Sequence, residues 1–134
     1  MLKIKKIDHV AVCVSDIDDS AARWRTLFGL AAQGREVVES QKTEAVLLPV
    51  GETSVELISP RGNDGLARFL EKRGPGLHHI ALRVPDLNAT VERLRAQGAR
   101  LLNEPRAGAG GHIYVFVHPA STGGVLLELI QEHE

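Results

Sequence analysis

Apolar and polar residues alternate along residues 4–14 and again along 77–84. Val10, Val12 and Val14 share one face of the first run, and Ile80, Leu82 and Val84 share one face of the second. A period of two predicts a half-buried β-strand. Each run leads to an aspartate, Asp16 or Asp86, after which the spacing becomes helical: Ile17, Ala21, Trp24 and Phe28, then Leu87, Val91 and Leu94. An aspartate at that junction accepts from the first free backbone N–H groups of a helix. Gly29 and Gly98 are placed to end the helices in the left-handed conformation that glycine adopts at little cost. Three shorter strand-like runs follow each helix, near 34–39, 43–49 and 53–58 and near 101–104, 112–117 and 124–130. Between the two sets, Leu66, Phe69 and Leu70 predict a linking helix over about 63–73.

The element order is therefore βαβββ twice, and the residues repeat with it. Ile7-Asp8-His9-Val10-Ala11 aligns with Leu77-His78-His79-Ile80-Ala81 at an offset of 70 residues, and Val55-Glu56-Leu57-Ile58 aligns with Leu127-Glu128-Leu129-Ile130 at an offset of 72. A duplicated module explains the pattern better than a solenoid, which needs more copies and a shorter period. The expectation is an α+β fold in one domain spanning 1–134, with module one about 4–59 and module two about 76–131. Neither half buries much surface alone. Two sheets paired side by side into a curved open barrel would supply a common core and a central cleft.

Composition narrows the partners. Sixteen Lys and Arg oppose seventeen Asp and Glu for a net charge of −1, which argues against nucleic acid. No apolar run approaches the roughly 20 residues of a membrane span, so a cytoplasmic protein with no membrane partner is expected. Cys13 is the only cysteine, which excludes an internal disulfide and a cysteine zinc site. The loops at 108–111 and 122–124 are glycine-rich, but neither precedes a predicted helix, so a phosphate loop is not indicated.

Candidate chemistry comes from strand alternation. If Val10 and Val12 pack beneath the helices, His9, Ala11 and Cys13 face the other way, as do His79 and Ala81 in the second copy. Glu56 and Glu128 likewise oppose the apolar rows of their strands. Two imidazoles and two carboxylates at repeat-equivalent positions suit a divalent transition metal with positions left for substrate. Set against this, a strand glutamate can face solvent, and a histidine can be a hydrogen-bonded core residue. Of the remaining histidines, His78 and His133 read as packing or surface residues, and His112 and His118 as structural residues, with the cleft mouth as the alternative.

These residues resemble the vicinal oxygen chelate superfamily, which includes glyoxalase I, extradiol dioxygenases and bleomycin-resistance proteins. Within it, residues 4 to 131 are similar to the methylmalonyl-CoA epimerase branch. The similarity is carried by the stretches above, by Asn103-Glu104-Pro105-Arg106, and most specifically by Phe116-Val117-His118-Pro119-Ala120-Ser121 leading into Gly124-Val125-Leu126-Leu127-Glu128-Leu129. The resemblance implies metal ligands at His9, Glu56, His79 and Glu128, with glutamine in place of Glu56 in some members. It implies a divalent ion, cobalt foremost with manganese, nickel or zinc as alternatives, a small-molecule acyl-CoA substrate and a homodimer. The implied reaction interconverts (R)- and (S)-methylmalonyl-CoA by moving the proton α to the thioester, with the metal as Lewis acid stabilising an enolate. Glu128 is the implied acid/base on one face. A second one is expected in the third strand of the first copy: one deletion assigns it to Glu44, whereas an ungapped match puts Ala45 there. Ala120 departs from a lysine common in the branch, and Arg23-Trp24 replaces an aromatic pair. The alternatives are a glyoxalase-I-like lyase or isomerase and a non-enzymatic small-molecule binder of the bleomycin-resistance type.

Overall fold

The computed structural model describes residues 2–133. The chain divides into two compact units, one of residues His9–His78 and one joining the N-terminal stretch up to Asp8 with His79 onward. The divisions fall inside strands β1 (Lys6–Cys13) and β5 (Gly76–Val84).

The first unit follows β1 with α1 (Ile17–Phe28), β2 (Gln33–Val38), β3 (Thr43–Val50), β4 (Thr53–Pro60) and α2 (Asp64–Arg73). Its strands lie in the order β2-β3-β4-β1, with β1 parallel to β4 and the others antiparallel. Asp16 caps α1 as expected, accepting from Asp19 N at 3.0 Å, and Gly29 closes it at φ 69°. Ala21 and Trp24 pack with Ile17 and Val14 against Val46, Leu48 and Leu57 on one face of the sheet. Phe28 does not join them. It is 66% exposed, with its ring tilted against Trp24 at 5.6 Å in the last turn of α1. The opposite face is covered by α2, whose Leu66, Phe69 and Leu70 pack on Ala11, Cys13, Ala45 and Ile58.

The second unit continues β5 with α3 (Leu87–Ala96), β6 (Arg106–Ala107), β7 (Ile113–Val117), α4 (Pro119–Thr122) and β8 (Leu127–Gln131), in strand order β5-β8-β7-β6. Asp86 caps α3, and Leu87 and Val91 bury against Val84, Val115, Val117 and Leu129. The strand expected over 101–104 is not formed. Leu101 makes a single bridge to Val117, and the short β6 lies further on. The side chain of Asn103 replaces the missing ladder: its Oδ1 accepts from Phe116 N at 2.8 Å and its Nδ2 donates to Tyr114 O at 3.3 Å. Pro105, which has no N–H to donate, separates this stretch from β6. The βαβββ order thus holds in both halves, with the second copy's first return strand cut to two residues.

Candidate active site

In the first unit the parallel pairing of β1 with β4 sets Ala11 beside Glu56 and Val12 beside Leu57. Leu57 is wholly buried toward α1, so Glu56 projects from the other face, which it shares with His9 two residues before Ala11. Both polar residues are buried, His9 at 5% exposure and Glu56 at 8%. His9 Nε2 lies 3.6 Å from Glu56 Oε1, longer than a hydrogen bond but within an ion-pair contact.

The second unit repeats the device. Ala81 pairs with Glu128, and His79 stands two residues before Ala81. His79 Nε2 is 3.1 Å from Glu128 Oε1, and both side chains are buried. In each copy, then, a small alanine sits beside the glutamate and leaves room above the strand for the histidine and carboxylate. Phe116, paired with Glu128 across β7 and β8, sets its ring edge-on to His79 at 5.1 Å. Tyr114 stacks edge-on to Phe116 at 5.6 Å, and its hydroxyl accepts from Arg106 Nε at 2.8 Å. This row of Arg106, Tyr114 and Phe116 went unrecognised in the sequence, although the alternation of Tyr114 and Phe116 within 112–117 carries the signal.

Glu44 lies on the face of β3 opposite to that of Glu56. β3 pairs with β4 so that Ala45 meets Ile58 and Glu44 meets Ser59. Ile58 shares the Glu56 face, so Ala45 does too, and Glu44 projects to the α1 side. There Arg35 Nε donates to its carboxylate at 2.7 Å while Arg35 Nη1 donates to Asp18 at 2.6 Å. The bond from Arg35 holds the Glu44 carboxyl below the usual carboxylate range. Glu44 is thus an ion-pair partner of Arg35 on the α1 side of β3.

Ala11 and Cys13 do share the His9 face, but α2 covers them. Burial pushes the Cys13 thiol up to about 11, which suits an inert core thiol. His118 caps α4, its Nδ1 accepting from Ala120 N at 2.9 Å. His78 packs edge-on to Phe69, and His112 edge-on to His133. These histidines thus make packing or capping contacts.

Buried His9, His79 and Glu128 are donor types that suit a divalent metal ion, and Glu56, buried beside His9, is a further oxygen-donor type. With no sulfur among them the set does not resemble a closed structural zinc site.

The chain belongs to the Glyoxalase/Bleomycin resistance protein/Dioxygenase superfamily, whose model matches residues 8–116. Among its relatives is the mitochondrial methylmalonyl-CoA epimerase of Homo sapiens, 35% identical over 94% of this chain and 73% of that one. The ethylmalonyl-CoA/methylmalonyl-CoA epimerase of Cereibacter sphaeroides is also 35% identical, over 96% of this chain and 98% of that one. The crystal structure of methylmalonyl-CoA epimerase from Mycobacterium tuberculosis matches with a TM-score of 0.93 and 35% identity, covering 100% of this chain and 94% of that one. A methylmalonyl-CoA epimerase in complex with methylmalonyl-CoA and an ammonium ion matches at 0.92 and 31% identity, over 97% and 96% of the two chains. The α+β fold is that of this family throughout the chain.

Proposed function

We propose that this protein is a metal-dependent epimerase that interconverts (R)- and (S)-methylmalonyl-CoA. The observation that carries the reading is the pair of buried His–Glu couples at repeat-equivalent positions, His9 with Glu56 and His79 with Glu128. Two carboxylates buried beside imidazoles are costly to keep charged, and a cation relieves that cost. His9, Glu56, His79 and Glu128 would hold one divalent ion, with cobalt, manganese, nickel and zinc all compatible with these nitrogen and oxygen donors. When bound, the ion supplies Lewis acidity toward the thioester oxygen of the substrate and so makes the α-proton easier to remove.

Glu128 takes the proton from one side of the α-carbon in one direction and returns it in the other. Its second oxygen is suited to this, since the first faces His79 Nε2. Burial of the couple keeps bulk water from competing for the proton. The reading is tested by incubating metal-loaded protein with methylmalonyl-CoA in deuterated water. Deuterium at the α-carbon of both epimers is expected. No exchange, alongside turnover of a glutathione hemithioacetal, would transfer the protein to the glyoxalase-I-like class.

The working unit in this reading is a cytoplasmic homodimer whose chains each carry all four ligands, because both halves of the set occur in one sequence. Among the described residues, no helix is long and apolar enough to cross a membrane. Sedimentation at micromolar concentration should give twice the chain mass of 14.5 kDa. A monomer with full activity would remove the dimer and leave the site intact.

A further inference from the structure

The two buried glutamates are flanked alike, and the flanks differ in one side chain. Glu56 sits between Ala11 on β1 and Leu47 on β3, and Glu128 between Ala81 on β5 and Phe116 on β7. Leu47 and Phe116 therefore hold equivalent places in the repeat. Phe116 turns its ring edge-on to His79, the histidine of its own unit. Leu47 has no ring to spend in that way. It stays 39% exposed beside a glutamate that is 8% exposed. Register fixes its face. Val46 pairs with Leu57, and both pack toward α1, so the next pair along, Leu47 with Glu56, projects from the opposite face. On that face α2 covers Ala11, Cys13, Ala45 and Ile58, and Leu47 is left out of this cluster as it is of the one under α1.

A lone exposed leucine is ordinary on a protein surface. This one is the direct cross-strand neighbour of a candidate ligand, and such pairs hold their Cβ atoms about 4.5–5.5 Å apart. We propose that Leu47 is a specificity-determining residue, which meets the alkyl substituent on the α-carbon of the acyl group and limits its size. The inference rests on the epimerase reading and deepens it. In methylmalonyl-CoA the α-carbon carries a methyl group and is bonded to the thioester carbonyl carbon. A thioester oxygen held at Glu56 therefore brings that methyl within a side chain's reach of the strand neighbours of Glu56. Of those two, Ala11 is wholly buried under α2, which leaves Leu47 as the apolar surface. Contact between them removes both from water, and the bulk of the leucine sets how far the substituent can extend.

The test uses full-length, metal-loaded protein and compares kcat/KM for methylmalonyl-CoA and ethylmalonyl-CoA, which differ by one methylene on the α-carbon. Leu47→Ala should shift the ratio of the two values toward ethylmalonyl-CoA by about 10-fold, the low end for one methylene in an apolar pocket. Leu47→Phe should shift it toward methylmalonyl-CoA by a similar factor. Metal content and melting temperature should match the parent protein in both, because Leu47 lies outside the packed clusters. Should Leu47→Ala fail to fold, Leu47→Val makes the same comparison in a smaller step. Val37→Ala is the control. Val37 is 38% exposed but pairs with Glu44 on the α1 face, so its loss should leave the ratio unchanged. A ratio within about threefold of the parent in both Leu47 variants would overturn the assignment while the epimerase reading stood. So would shifts in the same direction, or a shift in Val37→Ala as large as that in Leu47→Ala. A parent protein that turns over neither substrate would remove the reading, and the assignment with it.

Discussion

Replacing His79 by alanine should remove bound metal and activity together. Outer groups that merely orient a metal ligand already cost 10- to 100-fold in affinity when lost, so deleting a directly bonded imidazole should cost at least about 100-fold. His79 is also packed, with Phe116 edge-on and Glu128 at hydrogen-bond distance. Alanine would therefore leave a void and a buried carboxylate without its imidazole, and the fold itself would weaken. His79→Gln separates the two effects, since it keeps most of the volume and an amide to meet Glu128 while lacking the imidazole donor. The expected result for His79→Gln is a near-parental melting temperature for the metal-free protein, with metal content and α-proton exchange both sharply reduced. Full metal occupancy in either variant would sink His79 as a ligand.

His79 is legible in the sequence because duplication acts as a second measurement. A single buried strand histidine is ordinarily a core residue. His9 and His79 recur at one offset, each two residues ahead of the alanine that pairs with a glutamate. The helix starts were legible for a local reason, since Asp16 and Asp86 need only their own next turn to act as caps. Features that depend on partners were not. Phe28 continues the apolar spacing of α1 yet stays exposed outside the cluster that Trp24 joins, and no pattern within the helix records which turns meet the sheet. The stretch 101–104 alternates like a strand, but Asn103 spends its side chain on the β7 backbone instead. The face that Glu44 occupies was not legible either, because it depends on strand register. One residue of uncertainty in a strand is a change of face, and it moved the expected proton carrier to the far side of the sheet.

Equivalence in the repeat does not extend to chemistry, and glutamine at Glu56 and Glu128 should show it. Both carboxylates lie beside a histidine, and both are buried, so ligand duty alone predicts similar losses from either substitution. Proton transfer breaks the tie. An amide oxygen can still donate to a metal ion, but an amide cannot take a proton from carbon at neutral pH. Glu56→Gln should hold metal and keep interconversion within about tenfold of the parent. Glu128→Gln should lower it by roughly 10²–10⁴-fold and should retain more metal than His79→Ala, because it keeps a donor oxygen in place. Exchange in deuterated water sharpens the comparison: Glu128→Gln should lose exchange from the epimer whose α-proton faces Glu128. Equal losses from Glu56→Gln and Glu128→Gln, tracking metal content in both, would mean that Glu128 is a ligand only and that the proton on its side is carried by another group.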